Sequence, residues 1–292
     1  MKTHFRVAGL VVLAALLGLL AGGDRGIAQK GGNLVWKPVV PNNEARALVR
    51  QSVAAIQNEI AGLAGLNRKE LKIRMKGIRA SAIALAAVIQ STPGLANDRK
   101  LATLRDALLT LSQHAQAQNQ AAVRGLGAQL GKLKANPAAN LVPVAVRNFL
   151  ADPEFIMAAM KVKKKGGDGL HPNLLTVPRL VNPRMNGIEE KIKFLRRQKL
   201  NNAQMKKEAV QLALLAYKVA ALGQLADDWS PNVPVGVGQK TRRNWQRWSK
   251  DMRDKALQLA GAANAVNPNM VWTAAKKLDD SCTRCHKVFK TN

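Results

Sequence analysis

The chain has 292 residues, of which 46 are Lys or Arg and 18 Asp or Glu, giving a formal net charge of +28. This length holds one large domain or two of ordinary size, and an Ala- and Leu-rich composition with a single tyrosine points to helices. Two cysteines exclude a disulfide framework, and the positive charge is not confined to a tail, since residues 42–140 carry +9 and residues 185–292 carry +11.

At the start, Lys2 and Arg6 flank an apolar run from Val7 to Leu20, followed by Ala21-Gly22-Gly23 and by a second small-residue site after Gly26-Ile27-Ala28. That order predicts a secretory signal peptide over residues 1–28. The rival is an uncleaved anchor, but the run is short for a spanning helix and no basic cluster follows it. No cysteine follows either, which excludes a lipoprotein anchor. Export removes a nuclear or ribosomal role and any nucleic-acid partner. The positive field then suits acidic redox partners or an anionic membrane surface, the rival being basic residues that only solvate helix surfaces.

Four apolar stripes at 3-4 spacing come next: Val49, Val53, Ile56, Ile60 and Leu63; Leu71, Met75, Ile78, Ala82, Leu85 and Ile89; Leu101, Leu104, Leu108, Leu111 and Ala115; Val123, Leu126, Leu130 and Leu133. Four such faces can bury one another, so residues 42–140 read as a four-helix bundle. Residues 141–184 read as a linker, with a basic turn at Lys163-Lys164-Lys165-Gly166-Gly167 and prolines at 172, 178 and 183. A second set of four spans 185–292. Ile188, Ile192 and Leu195 mark its first helix, and Leu212, Leu215, Val219 and Leu222 its second. Trp245, Trp248, Met252, Leu259, Ala263 and Val266 mark the third, and Asn267-Pro268 opens the fourth. The expected fold class is all-α, two tandem antiparallel four-helix bundles.

The last stripe runs Val271, Ala275, Leu278, Cys282, Cys285 and Phe289. Cys282-Thr283-Arg284-Cys285-His286 within it spells C-x-x-C-H, the attachment signature of c-type haem. Two thiols add across two porphyrin vinyl groups, and the adjacent imidazole can then serve as axial ligand. The rivals are a chance match and a redox or zinc-binding C-x-x-C. A zinc site needs further ligands, and a thioredoxin-like motif needs a βαβ context absent from this sequence.

The halves also match faintly. Met75-Lys76 and Met205-Lys206 align at a spacing of 130, and Val123 and Leu130 align with Val271 and Leu278 at 148. At the latter spacing Lys134, Pro137 and Ala138 stand in place of Cys282, Cys285 and His286, so the first half would be a haem-less repeat.

A C-x-x-C-H on the last of four helices, continued as Lys287-Val288-Phe289-Lys290, resembles the cytochrome c′ and cytochrome c-556 family, whose bundles end in C-x-x-C-H-x-x-F-[RK]. The resemblance covers roughly residues 185–291. It implies one covalent haem c, thioethers at Cys282 and Cys285, and His286 as the proximal iron ligand, with Lys290 near the haem. Family members either leave the distal site open or fill it with a methionine of the first helix. Met185 is the candidate, Met205 the alternative, and His171 a residue that would have to fold over the haem from the linker; His114 belongs to the haem-less half.

The expected function is electron transfer by an exported, periplasmic cytochrome that is not an enzyme, with redox proteins as partners and a homodimer as a candidate assembly. The alternatives are diatomic gas binding at a five-coordinate haem, and an interaction module in which the first half recruits the partner.

Overall fold

Most of the long helices begin where a polar side chain accepts from their free N–H groups, whereas Asn42–Ala61 follows Pro41 and has no such cap. In a computed structural model, residues 36–139, 141, 144–149, 154–175, 186–230, 233, 236 and 238–289 are described, and among them there is no strand. The fold class is all-α. The expected signal peptide and Met185 lie outside the described residues, as does Lys290.

Helix α1 (Asn42–Ala61) buries Ala45, Leu48, Ser52, Ile56 and Ile60. Asn67 caps α2 (Arg68–Gln90) in a reciprocal box with Glu70. Pro93 opens the single turn α3 (Pro93–Ala96), and Asp98 caps α4 (Arg99–Gln116). Asn119 caps α5 (Gln120–Gln129), which tightens into a 3₁₀ turn at Leu130–Lys132. After α6 (Glu154–Met160) come α7 (Ile188–Arg197), α8 (Asn202–Asp228) with an Asn201–Gln204 capping box, α9 (Arg242–Asn264) capped by Thr241, and α10 (Pro268–Phe289).

In the first half α1 packs on α2 and α5, α2 on α4, and α4 on α5. In the second, α8 packs on α9, α9 on α10, and α10 on α7, while Lys191 of α7 pairs with Glu208 of α8. The halves meet where α2 and α1 pack on α8, and α6 packs on both α2 and α8. This contact explains why every residue from Ile78 to Gln90 is buried, rather than one face of them. The run is rich in alanine, so α4 and α8 can approach it from opposite sides. Gly223 serves the same end on α8, since a Cβ there would stand 2.9 Å from the backbone nitrogen of Arg253 on α9. Leu34 to Asn292 forms one compact unit with one continuous apolar core. The segment read as a linker is packed where it is described: Val146, Ile156, Met160 and Leu174 are buried, and Lys163 pairs with Glu59 of α1. Helix α8 is long and apolar enough to cross a membrane, but most of it is covered by these neighbours.

Local devices recur at fixed spacing. Helix α4 ends at Gln116 and α9 at Asn264, 148 positions apart. Each is followed by a non-glycine residue in the left-handed region, Gln118 (φ 57°) and Val266 (φ 51°). Next comes an asparagine, Asn119 or Asn267, whose side chain accepts from the first turn of the following helix. Buried Arg105 and Arg253 each donate from Nε to the aspartate that follows, at 2.9 and 3.0 Å. Along α2 and α8 the spacing is 134, fixed by the two capping boxes and by buried Gln90 and Gln224. This spacing differs by four residues from the 130 of Met75 and Met205. A shift of four residues is about one helical turn and keeps the same face inward, so the apolar pattern cannot distinguish the two and the caps do.

Candidate functional site

Cys282, Cys285 and His286 sit at positions i, i+3 and i+4 of α10, within an arc of roughly 100° on one side of the helix. Cys282 is buried, and Cys285 and His286 are half-buried, while Thr283, Arg284 and Lys287 face outward. The stripe expected from the sequence is thus present from Val271 through Cys282, and it turns partly outward over the last two turns.

Two neighbours frame the arc. On one side α7 runs antiparallel to α10: Arg196 forks between Asp279 and Asp280 at 2.7 and 2.6 Å, and Trp272 Nε1 donates to the Arg196 carbonyl at 3.0 Å. On the other side, Phe289 packs edge-on against Trp245 and Trp248, with ring centroids 5.0 and 5.5 Å apart. Trp245 continues to Trp229 at 6.0 Å and donates from Nε1 to Ala226 O. These rings clamp the last turn of α10 to the start of α9 and the end of α8. Of the two tryptophans in the expected third stripe, Trp245 is buried and Trp248 half-buried; Trp272 on α10 is half-buried with Lys276 over its ring at 3.2 Å. Trp229 and Phe289 complete a cluster that no local spacing announces, because it draws on three helices.

Burial, reinforced by the carboxylates of Asp279 and Glu189, pushes the Cys282 thiol up to about 12. Burial pushes Cys285 up to about 11. Both are free thiols, and among the described residues no three His, Cys, Asp or Glu side chains gather in a way that could hold a metal ion. That distinction bears on the donor set. Zinc requires its ligands to converge on one point at bonding distance. Haem attachment requires two thiols to reach separate vinyl carbons and the imidazole to reach the iron, and donors lined along one helical arc fit that demand. Two buried polar atoms at this end, Trp229 Nε1 and Ser281 Oγ, have no hydrogen-bond partner among the described residues. Orphans of this kind suit a site whose polar groups complete themselves on a bound cofactor.

Of the other candidates, Met205 is buried near the start of α8. Ala226, which marks the level of the aromatic clamp, lies about 32 Å further along that helix, so Met205 is not placed to approach His286. His171 packs near Lys218, burial and that charge lower its pKa, and its Nδ1 accepts from Asn173 N. His114 lies half-buried in the last turn of α4. Outside the clamp a groove is lined by Arg243, Arg247, Lys250 and Arg284, with Trp248 in its wall and Asp251 paired to Arg284 at 2.8 Å. Compared with known proteins, the chain matches no family model, no curated protein and no solved structure.

Proposed function

We propose that this chain is an exported c-type cytochrome that carries one haem on α10 and transfers single electrons. The observation that carries the reading is the set Cys282, Cys285 and His286 on one arc of the last helix, set between α7 and an aromatic clamp. The haem would supply the ferric–ferrous couple. The chain's own part is to hold both thiols and the imidazole on one rigid helix, to surround them with apolar and aromatic side chains, and to keep water from that side. The groove of Arg243, Arg247, Lys250 and Arg284 beside the clamp supports an acidic redox protein as the partner.

The same reading takes the fold as two tandem four-helix bundles derived from one ancestor. The matching circuits of packed helices support it, as do the shared corner devices at a spacing of 148 and the capping boxes at 134. In the first bundle the helix equivalent to α10 ends at Lys132, and Lys134, Pro137 and Ala138 are exposed where the attachment residues would stand. It would carry no covalent haem.

The test is a haem stain on a denaturing gel together with the spectrum of the purified exported protein. One covalent haem is expected in the native chain, none in Cys282→Ala/Cys285→Ala, and a shifted Soret band in His286→Ala. Haem retained by the double cysteine variant would end the reading.

A further inference from the structure

In the first bundle, a cavity of about 390 Å³ opens between α1, the start of α4 and the end of α5. That volume is within the range of small-molecule sites. Its walls are Val49, Val53, Leu101, Leu104, Leu130 and Leu133. Val49, Val53 and Leu133 belong to stripes that the spacing places in a core, yet they are half-exposed on this cavity. At the 148 spacing, Leu104 and Leu130 correspond to Met252 and Leu278, so the cavity lies in the first bundle where the wall next to Cys282 lies in the second.

The mouth is cationic. Arg46 and Arg50, one turn apart on α1, stand with Lys100 at the N-terminal end of α4, and all three are exposed. Among the described residues none of them pairs with a carboxylate. The one acid at the mouth, Asp98, is engaged in capping α4, accepting from Lys100 N and Leu101 N at 2.9 and 3.3 Å. The start of that helix adds its own positive end.

We propose that this cavity binds an amphipathic carboxylate, its apolar body against the valines and leucines and its carboxylate on Arg46, Arg50 and Lys100. The site stands on its own walls and charges and does not require haem on α10. A fatty acid and a tetrapyrrole share this chemistry, and two probes separate them: cis-parinaric acid and metal-free protoporphyrin IX, each titrated by fluorescence into the full exported chain. Saturable one-to-one binding of either probe is expected, and the probe that binds identifies the source. Arg46→Gln/Arg50→Gln should weaken that binding about tenfold and flatten its salt dependence. Val53→Phe should narrow the cavity and weaken binding while helicity is kept, with Ala54→Trp at the mouth as the second variant if the first does not fold. No saturable binding of either probe, or binding untouched by the narrowed cavity, would overturn the proposal.

Discussion

Lys191 and Glu208 face each other with neither side chain reaching water, and Lys191 Nζ also donates to Leu174 O at 3.2 Å. Burial lowers the Lys191 pKa, although Glu208 opposes the shift. Two desolvated ions of this kind roughly cancel their own penalty only while both are present. Lys191→Met alone should therefore destabilise the chain by about 3–5 kcal/mol in urea titration, whereas Lys191→Met/Glu208→Leu should recover most of that loss. A double variant as unstable as the single one would mean that the two residues do not act as a unit. The pair had a signal in the sequence: Lys191 falls on the seam of Ile188, Ile192 and Leu195, and Glu208 on that of Met205 and Leu212. A charge on an apolar seam requires a partner, but the sequence does not say that the partner is on the next helix. The candidate set Cys282, Cys285 and His286 stands out for the opposite reason, since the three are neighbours in sequence and form a motif without any tertiary contact.

The corner between α9 and α10 holds Val266 at φ 51°, with its side chain about two-fifths exposed. A β-branched residue is strained there by roughly 1–2 kcal/mol, and its exposed methyl groups gain little from packing. Val266→Asn should raise stability by about 1 kcal/mol, read as a higher Tm, while Gln118→Asn at the matching corner should do the same to a smaller degree. A lower Tm for Val266→Asn would show that the valine packs better than its exposure indicates. Helices were the most legible part of the fold, and the α4 stripe from Leu101 to Ala115 is buried as its spacing implies. The α1 stripe was legible in part: Ile56, Ile60 and Leu63 are buried as expected, but the face is completed by Ala45, Leu48 and Ser52, turned so that Val49 and Val53 meet the cavity. Alanine and serine at a contact are silent in an apolar pattern, and the valines drew the expected face toward themselves. The fully buried stretch of α2 was likewise hidden, because only the arrival of α8 distinguishes its second apolar face from surface alanines.

At the scale of the molecule, the two halves are joined by an apolar contact that has a polar tie inside it. Asp168 accepts from Ser81 of α2 and pairs with Lys218 of α8. Burial pushes its carboxyl up, but Lys218, Ser81 and Lys163 outweigh burial and leave it below the ordinary value. A carboxylate whose folded pKa is lowered adds stability that is fully present above its unfolded value, about pH 4, and is lost as pH falls through the lower folded value. Acid should therefore loosen the α2–α8 junction, and Asp168→Asn should be less stable at pH 7 but lose less between pH 4 and pH 2. Parallel acid curves for the two proteins would remove Asp168 from that role. The formal charge of +28 sharpens this dependence, since protonating carboxylates adds to a repulsion that the fold already carries.

The buried position of Cys282 also bears on timing. Burial pushes its thiol up to about 12, so the closed fold holds it in the neutral form. Under the proposed attachment, bond formation belongs to the interval before α7 closes on α10. On that proposal, a chain that closes first would lock the haem out. Loading would then be a stage of folding, and the fraction of mature protein would be decided by a race between delivery of the haem and docking of two helices.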